Sequence, residues 1–204
     1  CLQSKYGEVT LTHDGEMFEV AFPAACSGSA VVEPAPLAPL VQALNADEGA
    51  VLSHGSLLGG AFLFVELTPA GLAEIRPNTD LIRELPAHSL IAMAEGMVSQ
   101  QCGYVPDCVA NAGATPQQQD VDFTVRNFVP KFGIDEDIAT GSIQVGLNPF
   151  WSAKLGRAEG EPLLCLQASR RGGFVRSRSP GDGFVHVAGH TALSFSGQMP
   201  FSAV

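Results

Sequence analysis

Charge is scarce in this 204-residue chain. Asp, Glu, Lys and Arg together make up 16%, against roughly 25% in ordinary soluble proteins, so the chain reads as globular rather than disordered, with much of it in an interior or an interface. Basic residues are scarcer still: 11 Lys and Arg face 21 Asp and Glu, for a formal charge of −10. That balance repels phosphate backbones and anionic lipid, and neither nucleic acid nor a membrane surface is expected as a partner. Long apolar runs are also missing. The longest candidate, Leu57 to Val65, is strand-sized and well short of the roughly 20 residues that a spanning helix needs. The start of the chain carries no basic segment followed by an apolar one, so no secretory signal is read there. Five cysteines, Cys1, Cys26, Cys102, Cys108 and Cys165, are odd in number and scattered, with no paired CxxC and no His-rich cluster. They argue against a disulfide framework or a metal site and point to a reduced, cytoplasmic setting.

What is present is apolar: 46% of the residues are hydrophobic, enough for a sizeable core without covalent staples and for an interface besides. Val9 to Thr12 and Met17 to Phe22 read as two strands joined at His13-Asp14-Gly15. Ala24 to Pro39 reads as a linker, followed by a helix over Leu37 to Leu44. Strands are expected at Val51 to Ser53, Ala61 to Leu67, Ser89 to Met93 and Asp122 to Val129. Short helices are expected at Thr68 to Ile75, capped by Thr68, and at Asp80 to Glu84, capped by Asp80. Val105 to Gln119 reads as a polar surface loop. Phe174 to Arg178 and Phe184 to Val187 flank Pro180-Gly181-Asp182-Gly183, a second hairpin, and Thr191 to Phe195 is a further strand. Strands with a few helices make an α+β chain. It opens on Cys1 and enters strand pattern at once, so the expectation is that N-terminal residues are missing.

The chemistry-bearing stretch starts at Gly133. Asp135-Glu136-Asp137-Ile138-Ala139-Thr140-Gly141-Ser142 runs from an acidic turn into a helix expected over Ile143 to Leu155, which Pro149 would kink or divide. Thr140 or Ser142 can cap this helix, and Gly141 lets the backbone approach whatever lies in front of it. Free N–H groups at such a start suit a carboxylate or phosphate, with Asp137 beside it. The same string also reads as an ordinary capped helix with an acidic lead-in, and spacing alone leaves both open. Phe150 and Trp151 read as core. Gln167, Ser169, Arg171, Gly172 and Gly173 form a polar knot, either a bulge whose Arg pairs with a carboxylate or a strand entry with a surface Arg.

Three strings, Arg126-Asn127-Phe128-Val129-Pro130, Glu136-Asp137-x-Ala139-Thr140-Gly141-Ser142 and Gln167-x-Ser169-x-Arg171-Gly172-Gly173, resemble the phenazine-biosynthesis (PhzF-like) family in order and spacing. Phe150-Trp151-x-x-Lys154-Leu155-Gly156 and the opening from Tyr6-Gly7 to Pro23 extend the resemblance over nearly the whole chain. It implies a diaminopimelate-epimerase-like fold: two similar domains, each a curled, mostly antiparallel sheet around a central helix, with the site between them. Residues 1–23 would be closing strands of an incomplete first domain, separate from the second sheet. Residues 24–204 would be the second domain, its last residues free to return to the first. The resemblance implies no metal and no cofactor, and proton transfer on a small carboxylate-bearing metabolite; the high apolar content suits an interface, and a homodimer is expected. Asp137 would then orient a polar group or the proton shuttle as the catalytic carboxylate of this half, and Thr140, Gly141 and Ser142 would hold the substrate carboxylate. The family's principal acid/base, a glutamate, and its Gly-His support have no match here and are expected upstream of Cys1. His190 falls in the closing strand and is not read as catalytic. The cysteine-pair racemases of the same fold are disfavoured, because no cysteine lies in the helix-start motif.

The leading expectation is therefore an isomerase or epimerase that is incomplete without its upstream part. A catalytically silent member that binds a ligand or a protein is the alternative.

Overall fold

The computed structural model describes residues 2–4, 7–13, 17–24, 32–98, 105–110 and 121–190. The strands are β1 (Leu2–Ser4), β2 (Gly7–His13), β3 (Met17–Pro23), β4 (Val51–Leu57), β5 (Phe62–Leu67), β6 (Ser89–Glu95), β7 (Phe123–Phe128), β8 (Leu163–Gln167), β9 (Gly173–Arg178) and β10 (Phe184–His190). The helices are α1 (Leu37–Leu44), α2 (Pro69–Glu74), α3 (Thr79–Glu84), α4 (Asp107–Ala110) and α5 (Gln144–Leu155). All ten strands join one sheet in the order β1-β2-β3-β10-β9-β8-β7-β6-β5-β4. Only β5–β6 and β7–β8 pair in parallel, so the class is α+β with a mostly antiparallel sheet.

Alternation along the central strands sends side chains to two cores. Leu63, Val65 and Leu67 of β5 and Leu90, Ala92 and Ala94 of β6 pack with Leu40, Leu44, Leu72 and Ile82 from α1, α2 and α3. Phe64, Ile91, Met93, Phe123 and Val125 point the other way, onto Val145, Leu147 and Trp151 of α5. Trp151 is fully buried and stacks on Phe123, with centroids 5.0 Å apart.

Helix α5 touches strands from both ends of this part of the sheet. At Gly146 a Cβ would lie 3.3 Å from Leu57 at the end of β4, while Asn148 Nδ2 donates to Ser177 Oγ of β9 at 3.1 Å. Gly141, just before the helix, faces Val187 of β10. β4 and β10 stand six positions apart in the order, which in a flat sheet is roughly 29 Å at about 4.8 Å per strand. A helix of about 10–12 Å diameter meets both only if the sheet curls around it.

Several local expectations are corrected. Residues 1–23 do not form a separate set of strands: β3 pairs with β10 from Phe184↔Pro23 to His190↔Met17, extending the sheet. Asn78, not Asp80, caps α3, its Oδ1 accepting from the N–H groups of Asp80 and Leu81. Pro149 lies inside α5 without dividing it, because burial of Leu147 and Trp151 on either side outweighs the roughly 3 kcal/mol that an interior proline costs. Part of the expected 105–119 loop is the short helix α4, and β8 was not anticipated. The expected strand at 191–195 lies outside the described residues.

One polar cluster ties β3 to β10. His186 Nδ1 lies 2.8 Å from Glu19 Oε1 and its Nε2 2.8 Å from Asp182 Oδ2, while Arg178 Nη2 donates to both oxygens of Glu19. Burial pushes the Glu19 carboxyl up, but the hydrogen bonds from His186 and Arg178 outweigh it and hold the group below its ordinary value. Asp182 is held low chiefly by His186. Depressed folded values make the unfolded chain the better proton acceptor on acidification. The stabilisation is therefore present above about pH 4, where free carboxyls titrate, and is lost as pH falls through the lowered folded values. Thermal melts between pH 7 and pH 3 are expected to show a falling Tm below about pH 4, and Glu19→Gln to lower the neutral plateau while flattening that limb. An unchanged limb in the variant would assign the acid sensitivity elsewhere.

Candidate functional site

The ends of three neighbouring strands, marked by Phe62 of β5, Ser89 of β6 and Asn127 of β7, meet the start of α5 on the face that the helix covers. A cavity of about 270 Å³ opens there, lined by these three residues with His88, Val129, Phe132, Ile134, Asp137, Thr140 and Ser142. Asp137, Thr140 and Ser142, singled out in the sequence, thus come together on one wall. Gly141 lies between them in the chain.

The loop that carries them is fixed from three sides. The Glu136 carboxylate accepts from Arg126 Nε and Nη2, both at 2.8 Å, and Asp137 N–H donates to the Asn127 carbonyl at 2.9 Å, so residues 136–137 lie along the end of β7. Ser169 Oγ donates to the Ile138 carbonyl at 2.7 Å and accepts from Gly172 N–H. Gly172 has φ +72°, and a Cβ there would run into Cys108 Sγ and lie 2.9 Å from Pro106 Cβ. A Cβ on Gly173 would come 3.0 Å from that of Ala139, so the paired glycines let the β8–β9 turn press against the loop. Arg171 makes no ion pair among the described residues; its carbonyl receives Cys108 N–H instead.

Gln167 is the hub. Its Oε1 accepts from Thr140 N–H at 2.7 Å and its Nε2 donates to the Asp137 carbonyl at 2.8 Å and to Thr140 Oγ1 at 3.1 Å. The Thr140 hydroxyl donates to Asp137 Oδ2 at 2.5 Å and also accepts from Asn127 Nδ2 at 3.0 Å. Thr140 is therefore not the helix cap that its residue type suggested. The residue before α5 is Ile143, with no side-chain cap. Among the described residues nothing accepts from the N–H groups of Gly141, Ser142 and Ile143, so the positive end of α5 is open. At Gly141 a Cβ would meet Val187 at 3.6 Å and Phe22 at 3.9 Å, ordinary contact distances.

Two polar atoms of the cavity wall escaped sequence reasoning. Asn127 Oδ1 and Ser89 Oγ are buried and have no hydrogen-bond partner. Asn127 stands in the Arg126–Pro130 string but nothing there gives it a role, nothing local marks Ser89, and the register of β6 against β7 brings the two to one place. His88 also lines the cavity, exposed and edge-on to Phe132 at 6.1 Å. No group of His, Cys, Asp and Glu able to hold a metal occurs among the described residues. Burial pushes the Cys165 thiol up to about 12 and also raises Cys108, so neither supplies a thiolate. No helix among the described residues is long and apolar enough to cross a membrane.

The family model for phenazine biosynthesis-like proteins, PhzC-PhzF, matches residues 2–197. An uncharacterized isomerase of Vibrio cholerae is 29% identical over 172 residues, 84% of this chain and 49% of that protein. A second uncharacterized isomerase, from Pseudomonas aeruginosa, is 40% identical over 81 residues, 40% of this chain and 30% of the relative. Among solved structures, a PhzF-family phenazine biosynthesis protein of Enterococcus faecalis superposes with a TM-score of 0.66 at 25% identity, over 92% of this chain and 59% of that one. A PhzC/PhzF protein of Clostridium difficile gives a TM-score of 0.68 at 23% identity, over 96% and 62%. The matches thus span from about a third to just under two thirds of these relatives.

Proposed function

Because this chain belongs to the phenazine biosynthesis-like PhzC-PhzF family, we propose that it is the substrate-anchoring part of a PhzF-like isomerase acting by proton transfer on a small carboxylate-bearing metabolite, without a cofactor. The observation that carries the reading is the open start of α5, where the N–H groups of Gly141, Ser142 and Ile143 have no acceptor among the described residues and Ser142 lines, with Asp137 and Thr140, a cavity of metabolite size. A carboxylate seated on the N–H groups of Gly141 and Ser142 gains charge-assisted bonds and the field of the helix end. Asp137, pinned through Oδ2 by Thr140, keeps its other oxygen for a donor on the ligand or for the group that moves the proton. Arg126, Gln167 and Ser169 act through the loop, as positioning residues. The principal acid/base belongs, on this reading, to a segment beyond these 204 residues.

Titration of the labelled chain with small carboxylates is expected to move the amide signals of Gly141 and Ser142 first. Gly141→Val is expected to weaken binding by tenfold or more, by blocking close approach, while the melting temperature changes by only a few degrees, since the space at Gly141 accepts a Cβ. Binding that leaves both amides unmoved would remove the cradle and the reading with it.

A further inference from the structure

We propose that Asn127 and Ser89 form a subsite that selects ligands carrying a hydroxyl or amino hydrogen-bond donor beside the carboxylate. The proposal rests on the cavity being the ligand site, and goes on to say which ligands it prefers.

The hydrogen-bond network settles which end of the Asn127 amide faces the cavity. Gln167 accepts Thr140 N–H through Oε1, so its Nε2 is the donor to Thr140 Oγ1. The single hydroxyl proton of Thr140 goes to Asp137. Thr140 Oγ1 can then only accept from Asn127, which must present Nδ2 and leave Oδ1 outside the network. That oxygen is an acceptor with no donor: Asn127 is 1% exposed, and Oδ1 is unpartnered. Ser89, 4% exposed, places a second unpartnered atom, Oγ, on the same cavity wall. Its hydroxyl can donate or accept, so Asn127 decides the sign of the preference. Phe62, Val129, Phe132 and Ile134 add apolar surface to the cavity, and no donor among the described residues reaches the amide oxygen. Buried carbonyl oxygens left unpaired are rare in folded proteins, and a site built to receive a donor rejects the analogue that lacks it, because the protein group is then stranded.

The 204-residue chain itself can be tested with lactate, 2-methoxypropanoate and isobutyrate, which share a carboxylate and differ in carrying a hydroxyl, an ether or a methyl group. Lactate is expected to bind about tenfold tighter than the other two and to shift the Asn127 side-chain amide signals together with the Gly141 and Ser142 N–H groups. Asn127→Leu is expected to abolish this preference, leaving the three probes with equal affinities. Should that variant fail to fold, Ser89→Ala, which breaks no existing hydrogen bond, is expected to reduce the preference severalfold. Equal binding of all three probes, with Gly141 and Ser142 shifting, overturns the subsite and leaves the carboxylate cradle standing. If no carboxylate moves Gly141 and Ser142, the cradle falls, and lactamide against isobutyramide decides the subsite alone. A preference for lactamide that Asn127→Leu removes supports it, and none overturns it.

Discussion

Arg126→Met is expected to destabilise the fold by about 3 kcal/mol and to loosen the loop that presents Asp137. The guanidinium meets Glu136 in a two-pronged pair with both contacts at 2.8 Å. The side chains are 8% and 18% exposed, so water replaces little of a lost partner. Arg126 also lies over the Phe128 ring, 5.0 Å from its centroid, and methionine retains the apolar part of that contact. What it cannot retain is the charge, and a half-buried Glu136 is left without its partner. Because the accessible edge of Glu136 softens the penalty, the low end of the 3–5 kcal/mol range for broken buried pairs is the appropriate figure. Urea unfolding measures it. Arg126→Met with Glu136→Gln should cost less than the two single changes summed, since each single change strands the other group. A cost under about 1 kcal/mol for Arg126→Met would place the pair with ordinary surface bridges and leave the loop to Gln167 and Ser169.

This pair also marks a limit of what the chain discloses as a string. Glu136 and Asp137 are neighbours of similar chemistry, yet one is locked against β7 and the other lines the cavity. Nothing local separates them, because the distinction is made by the extended run of 135–137 along β7, which turns alternate side chains to opposite sides. Elements set by local rules were legible: α1 falls on the expected residues, and Thr68 caps α2 with its hydroxyl accepting Gly71 N–H. The β9–β10 hairpin follows its Pro-Gly-Asp-Gly turn. β8 was not legible, since five residues with no alternation owe their strand to β7 on one side and β9 on the other. The β3–β10 pairing joins residues more than 150 positions apart, beyond any periodicity. Asp137, Thr140 and Ser142 could be named in advance through a motif. Asn127 stood in a motif string without a role assigned to it, Ser89 in none, and the hydroxyl of Thr140 clasps Asp137 rather than capping the helix.

The largest effect is expected in proton exchange. On the proposed reading, the 204-residue chain incubated with a carboxylate substrate in deuterated water is expected to give no exchange above the solvent rate, whereas a longer protein in which an added upstream segment restores an acid/base exchanges. Moving a proton between carbons requires a group that approaches within about 3 Å of each position in turn. Among the described residues, the cavity wall offers two side chains able to carry protons, Asp137 and His88. Asp137 is held by the Thr140 hydroxyl at 2.5 Å, and Gln167 fixes the backbone on either side of the loop. Such a group orients well and moves badly. His88 is exposed and rests against Phe132, at the rim. On the proposed reading, the opposite wall, from which a base would face the ligand, is supplied by groups outside the described residues. In the restored protein, Asp137→Asn is expected to lower the exchange rate about 10²-fold, in the range found for single proton-handling or proton-orienting groups, with the fold unchanged by circular dichroism. His88→Asn is expected to lower it by less than tenfold. Exchange by the 204-residue chain alone that vanishes in Asp137→Asn would move the acid/base onto Asp137, and exchange that vanishes in His88→Asn would move it to the rim.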